Sequence, residues 1–187
     1  MSRIFIKMKK EIYKKIEIPD GVEVSLNENF VSVKGPEGEN KREFKFGNLE
    51  FGKEKDYIVV GHKKATKKEK KQINTISAHI ANLIKGVQKK FLYELKICFS
   101  HFPITVEIKG DEAIIKNFLG EKIPRKVTLP KGVETTVNGN VIKTASVNKE
   151  LAGQAAACFE KATRITGKDR RVFQDGIFIV NKAGKEI

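Results

Sequence analysis

Between Lys161 and Arg171 the chain sets Lys161, Arg164, Lys168, Arg170 and Arg171 against a single acid, Asp169. An aromatic, Phe173, an acidic turn, Asp175-Gly176, and an apolar strand-like run ending near Lys182 follow at once. Cations at this density suit a phosphate-rich surface, provided a rigid element holds them in place. Arginine adds a planar fork that grips a phosphate through two hydrogen bonds. Charge alone does not separate this reading from a solvated helix end followed by an edge strand.

A second cluster, Lys63, Lys64, Lys67, Lys68, Lys70 and Lys71, surrounds the start of an expected helix, with Glu69 the one acid among them. Cations at a helix N-terminus oppose the helix dipole, so this many lysines there suggest an external anion; the competing reading is a solvated face. Lys122, Arg125 and Lys126 reinforce the C-terminal cluster.

Catalytic signals are sparse. His62, His79 and His101 lie in a basic loop, on a helix and between strands, and nothing in the sequence places a carboxylate or nucleophile beside them. Cys98-x-x-His101 has half the spacing of a zinc site but lacks a second ligand pair, so a half-site metal is not expected and a buried cysteine with a loop histidine is. Asp111-Glu112 reads as a hairpin turn. Neither a Walker-type loop nor G-x-G-x-x-G occurs, and no cofactor is expected. Gly35-Pro36-Glu37-Gly38 has the outline of the G-x-x-G clamp of KH domains, yet it joins strands where that clamp needs helices, so a turn is predicted. The phenylalanines fall mostly within strand patterns and form no single-strand stacking platform.

The whole chain has 187 residues, 37 Lys+Arg against 23 Asp+Glu, and a formal net charge of +14. A surplus of this size favours an acidic partner over a neutral small-molecule substrate. No apolar run approaches the ~20 residues that span a bilayer, which sets membrane insertion aside. Residues 1–15 alternate Ile4, Ile6 and Met8 with Arg and Lys and read as a basic strand, not a secretion signal. Two cysteines give no disulfide framework, so a reducing, intracellular compartment is expected.

The elements that position the cations come as two copies of one unit. One offset aligns Ile18-Pro19-Asp20-Gly21-Val22-Glu23 with Leu129-Pro130-Lys131-Gly132-Val133-Glu134. A quieter shift of about 82 residues pairs Val22, Val24 and Leu26 with Ile104, Val106 and Ile108, and Val33-Lys34 with Ile115-Lys116. Helix placement decides for the second. Thr66-x-x-Glu69 forms a capping box, after which Ile73, Ile76, Ile80, Leu83 or Ile84, and Val87 share one face, with Gly86 as the stop. The quieter shift carries Thr66 to Asn148, another good N-cap, followed by Leu151, Ala155, Cys158 or Phe159, and Ala162. The louder one carries Thr66 to Ile177, where no helix can begin. Each copy therefore reads hairpin, glycine loop, strand, hairpin, helix, with the strongest hairpin signal at Asn138-Gly139. The expected fold class is α+β: two tandem similar small domains, 1–88 and 89–187, each an antiparallel β-sheet packed against one helix, with residues 170–182 an extension the first copy lacks.

At these residues the chain resembles the large-subunit ribosomal proteins of the universal L-six family, in the archaeal/eukaryotic form (L-nine in eukaryotes). That family's C-terminal signature is matched by Lys168, Arg171, Phe173, Asp175-Gly176, Ile177 and Phe178. Further matches are His101-Phe102-Pro103-Ile104, Asn117-Phe118-Leu119-Gly120-Glu121-Lys122, Val33-Lys34-Gly35-Pro36 and Ile84-Lys85-Gly86-Val87. Lys161 departs from the family's usual Gln, and the Lys63–Lys71 run is more basic than the family pattern. The resemblance implies two tandem α/β domains and no enzymatic activity. It also implies a place on the large subunit near the sarcin–ricin loop, among large-subunit rRNA, neighbouring ribosomal proteins and translation-factor GTPases. The expected RNA contacts are Lys161, Arg164, Lys168, Arg170, Arg171, Phe173, Lys122, Arg125, Lys63, Lys64 and Lys67, by shape and phosphate more than by base. Asp175-Gly176 is expected to be a turn that launches the last strand. Two other classes are a non-ribosomal nucleic-acid binder and an RNA-modifying enzyme, the latter needing a convergent acid/base cluster.

Overall fold

Residues 10–27, 30–54 and 56–187 are described in a computed structural model. The alternation of Ile4, Ile6 and Met8, and Glu28 and Asn29 of the first hairpin turn, lie outside the described residues. Two compact units, Met1–Lys89 and Lys90–Ile187, make up the chain.

The first unit contains β1 (Lys10–Glu17), β2 (Glu23–Asn27), β3 (Phe30–Gly35), β4 (Gly38–Glu43), β5 (Glu50–Glu54), β6 (Tyr57–Ala65) and α1 (Lys67–Gln88). The second contains β7 (Phe91–Cys98), β8 (Thr105–Lys109), β9 (Glu112–Lys116), a 3₁₀ turn (Phe118–Gly120), β10 (Arg125–Thr128), β11 (Glu134–Asn138), β12 (Val141–Ser146), α2 (Lys149–Ala162), β13 (Gly176–Lys182) and β14 (Lys185–Glu186). In each unit the antiparallel pairing is divided between two small sheets that share one helix. The sheet orders are β1-β6-β5 and β2-β3-β4 in the first unit, and β11-β12-β7-β13-β14 and β10-β9-β8 in the second.

The duplication is visible element by element. β8 starts 82 residues after β2, β9 82 after β3, and the N-cap Asn148 82 after the N-cap Thr66. The louder offset is a repeated turn at non-equivalent places. Pro19-Asp20-Gly21 joins β1 to β2 and Pro130-Lys131-Gly132 joins β10 to β11, the two glycines having φ of 81° and 83°. Among the described residues, β13 has no counterpart in the first unit. It pairs along β7 from Gly176↔Cys98 to Lys182↔Tyr93, with a bulge between Ile179 and Asn181.

Both helices begin as the sequence predicts. The Thr66 side chain and Glu69 cap each other's backbone in a complete capping box, and Asn148 Oδ1 accepts from the Glu150 N–H at 2.9 Å. The expected stripe of α1 is buried, with Ile73, Ile80 and Val87 fully so. Gly86 does not stop the helix, which continues to Gln88. Burial of Val87 favours the extra residues, and the Val87 carbonyl accepts from the Glu37 N–H at 3.0 Å. In α2 the buried face is Ala152, Ala155, Ala156 and Phe159; Ala155 and Phe159 belong to the expected stripe, while its other members, Leu151, Cys158 and Ala162, are half-buried. Alanines let the helix lie close to the sheet, and Phe159 fills the space beyond them. The Asn138-Gly139 hairpin forms one residue later than its signal, since Asn138 pairs with Val141 and the loop is Gly139-Asn140. Gly139, with φ of 56°, supplies the positive dihedral at the first loop position, the arrangement of a type II′ turn.

Two sequence motifs matched in the first unit touch each other. The Gly35-Pro36-Glu37-Gly38 turn joins β3 to β4 and abuts the end of α1, where a Cβ on Gly35 would lie 2.9 Å from Val87 Cγ2 and 3.0 Å from the Val87 carbonyl oxygen. Gly35→Ala should therefore cost about 1–3 kcal/mol of stability by overpacking. In urea unfolding, Val87→Ala should relieve only part of that cost, because the backbone oxygen remains in the way.

Candidate nucleic-acid interface

The C-terminal cations are carried by the last turn of α2 and the segment 163–175, and both ends of this segment are fastened. At the helix end, the Thr163 hydroxyl donates to the Phe159 carbonyl at 3.2 Å and accepts from the Ile177 N–H at 3.0 Å. One Nη of Arg125 donates to the Ala162 carbonyl at 2.6 Å. At the far end stands Asp175, only 2% exposed. Its Oδ1 accepts from the Ser100 N–H at 2.7 Å and from the Ser100 hydroxyl at 2.9 Å. His101 Nδ1 lies 3.0 Å from Oδ2; an ionised carboxylate can only accept, so Nδ1 carries the proton. Burial pushes the Asp175 carboxyl up, but the Ser100 N–H and hydroxyl together with His101 outweigh it and hold the group below its ordinary range.

This trio is the acid–histidine contact that local sequence could not show, because its members lie 74 and 75 residues apart. It is not wired as a nucleophile relay. Such a relay uses opposite imidazole nitrogens for the acid and the nucleophile, whereas Ser100 Oγ and Asp175 Oδ2 both face Nδ1, at 3.1 and 3.0 Å. Asp175 is thus more than the turn expected of it: it locks the exit of β7 to the entry of β13. Cys98 is half-buried rather than buried.

The lock extends outward through stacked groups. The His101 and Phe173 rings stack with centroids 4.9 Å apart and 22° between planes, and Lys168 Nζ sits 4.6 Å from the Phe173 centroid. Phe173 therefore packs between Lys168 of its own segment and His101 of the corner after β7. Between the two anchors, Asp169 builds a short turn. Its carbonyl accepts from the Phe173 N–H at 2.9 Å, and its Oδ1 accepts from the Arg171 N–H at 3.0 Å. The Arg171 guanidinium folds back on the same carboxylate, Nη2 to Oδ2 at 3.0 Å. Arg171 holds the Asp169 carboxyl below its ordinary range through side-chain and backbone hydrogen bonds. With the Arg171 side chain 90% exposed, this pair is weak.

Lys161, Arg164, Lys168, Arg170 and Arg171 are all exposed. Lys161, Arg164 and Arg170 share the rim of one cleft of about 850 Å³, and Phe99, Phe173 and Phe178 line it too. Three phenylalanines that are scattered in the sequence thus line one cleft, brought there by three separate segments. Lys161 and Arg164 also stand at the C-terminus of α2, where a cation is favourable to the helix itself.

Arg125 is engaged within the protein. Its guanidinium donates to both oxygens of Glu121, Nε to Oε2 at 2.8 Å, caps α2 at Ala162, and lies 4.3 Å from the Phe118 ring centroid. Its fork is used inside the protein, so it braces β10 against the helix instead of presenting a free cation. Lys122, three residues earlier, is exposed.

Lys63, Lys64 and Lys67 are exposed at the end of β6 and the first turn of α1. Glu69 does not offset them, because it is committed to the cap. It accepts from the Thr66 hydroxyl and, at 2.8 Å, from the Thr66 N–H. The hydrogen bonds from the Thr66 side chain and backbone lower its pKa to about 2.

Asp175→Asn should lower the stability of the second unit by about 2 kcal/mol at neutral pH, since an amide must turn a donor toward Ser100 or His101. The folded-state pKa of Asp175 lies below its unfolded value, so the carboxylate's contribution is present above about pH 4 and lost as pH falls further. Denaturant titrations of both proteins should therefore converge on acidification, while a constant gap down to low pH would count against the lock.

The family model described as Ribosomal protein L6 matches residues 18–90 and 102–176, one block on each half of the chain. The large ribosomal subunit protein uL6 of Methanobrevibacter smithii is 44% identical over 171 residues, covering 91% of this chain and 96% of that protein. Those of Methanococcus vannielii and Methanothrix thermoacetophila are 44% and 39% identical over 174 and 175 residues, covering 93% and 94% of this chain and 96% and 99% of theirs. Gly35 against Val87, and the Phe102 ring against Gly120, are contacts between motifs that carried the resemblance. With a duplicated α+β fold and family matches on both halves, the chain belongs to the ribosomal protein L6 family, in its archaeal type.

Proposed function

We propose that the chain is a non-enzymatic constituent of the large ribosomal subunit in the cytoplasm, where it binds large-subunit rRNA and packs beside other large-subunit proteins. Its C-terminal unit sits near the sarcin–ricin loop and the region where translation-factor GTPases dock. The protein's part there is positional: it neutralises phosphates and braces RNA, while the chemistry belongs to the RNA and the factors.

The observation that carries this reading is the anchored cationic segment. Exposed cations on a mobile loop would lose ordering entropy on binding RNA, but here both ends are fixed by buried groups, Thr163 and Asp175. Lys161, Arg164, Lys168, Arg170 and Arg171 meet backbone phosphates, Lys122 adds to that face, and Phe173 holds the segment still. Lys63, Lys64 and Lys67 form a separate phosphate-binding patch on the first unit. Support for the location comes from the Lys168-to-Phe178 motif that the chain shares with the family.

Binding of the full chain to its rRNA fragment should weaken when Arg170 and Arg171 are both changed to Ala. The plot of log affinity against log salt should flatten by about 0.7–0.9 for each phosphate no longer neutralised. Arg125→Ala should instead lower the melting temperature with the slope kept. An unchanged slope in the Arg170/Arg171 variant would remove this segment from the interface.

A further inference from the structure

We propose that the cleft beside the C-terminal cations receives a single unstacked nucleotide, its base between aromatic walls and its phosphate on the cationic rim. This rests on the RNA-binding reading above and adds a base-holding site to it. The cleft, about 850 Å³, falls within the usual size range of small-ligand pockets. Phe99 and Phe178 line it while remaining 40% and 39% exposed. Large rings left half in water at the wall of an open cleft retain most of their capacity to bury apolar surface against a flat partner.

The charge selects the kind of partner. Lys161, Arg164 and Arg170 line the cleft against one exposed acid, Glu160; Asp175 also lines it but is buried and fully engaged with Ser100 and His101. Aromatic rings beside clustered cations form the combination that binds an unpaired nucleotide, stacking the base and pairing the phosphate. An aromatic side chain from a protein neighbour would match the walls but leave the rim cations without an anion.

The polar groups of the cleft also set how the base is read. The Ser100 hydroxyl and the Thr163 hydroxyl are already donating within the protein, and the Gln174 amide nitrogen donates to the Arg171 carbonyl at 3.2 Å. With these groups engaged and the rim cations turned to the phosphate, the site holds a base by its face and tolerates any of the four.

The test uses the full chain and two RNA hairpins of the same sequence, one carrying a single bulged adenosine and one fully paired, with affinity followed by fluorescence anisotropy across a salt series. The bulged hairpin should bind about tenfold tighter, the scale of one base stacked on an aromatic ring, and a bulged uridine should bind within a few-fold of adenosine. The Phe99→Leu/Phe178→Leu variant keeps the cleft apolar but removes the π-faces, with its fold checked by thermal melting. It should lose the preference yet keep the salt slope and its affinity for the paired hairpin. Equal binding of the two hairpins by the unaltered protein, with the salt slope intact, overturns the nucleotide site and leaves a protein side chain as the occupant. A preference that survives in the double-leucine variant also overturns it. If neither hairpin binds with a slope dependent on Arg170 and Arg171, the RNA-binding reading fails and the site falls with it.

Discussion

A charged carboxylate taken out of water is stable only when its oxygens are fully hydrogen-bonded, and Asp175 meets that condition with donors from one place alone, the Ser100-His101 corner after β7. This requirement fixes where β13 begins and hence where the preceding segment must end. The other end is fixed by Thr163 and by Arg125 at the C-terminus of α2. The cations on Lys168, Arg170 and Arg171 therefore sit on a loop whose ends cannot wander, and the Asp169 turn and the Lys168–Phe173–His101 stack restrain its middle. Without the buried acid, the same residues would be a basic tail.

Duplication explains why such a loop exists on one unit and not the other. Both units use the same arrangement of hairpins and a capped helix to bury an apolar stripe. In the first, β1 is the edge of its sheet among the described residues and carries Lys10, Lys14 and Lys15, charges of the kind that discourage further strand pairing. In the second, the equivalent strand β7 is central, because β13 pairs along its free side. The chain reaches β13 only by returning from the end of α2, and that return path is the cationic segment. The extra strand and the proposed binding surface are consequences of one addition to a repeated scaffold.

The elements set by local periodicity were legible from sequence: the repeat, both helix starts, the α1 stripe and most hairpins. Legibility failed where a contact joins distant residues. Nothing near Gly86 says that Val87 is held by Gly35, and nothing near Leu151 says that Ala152 and Ala156 will be buried beside the expected Ala155. The cations of the site were visible as a charge cluster, but Arg125 looked the same as its neighbours until Glu121, Ala162 and Phe118 were seen to surround it. His101 and Asp175 read as a loop histidine and a turn acid because their pairing depends on β13 lying along β7. The cleft phenylalanines were similarly hidden: Phe99, Phe173 and Phe178 come from a strand exit, a loop and a strand.

The central claim is that the segment anchored by Asp175 is the protein's RNA-facing surface. A density map of the assembled large subunit measures this directly, through the distances from the Arg164, Arg170 and Arg171 guanidinium groups to the nearest phosphate oxygens. Hydrogen-bonding distances, about 2.7–3.2 Å, are expected there, with Asp175 still closed on Ser100 and His101. A segment facing solvent, or covered by another protein with no phosphate in reach, would contradict it.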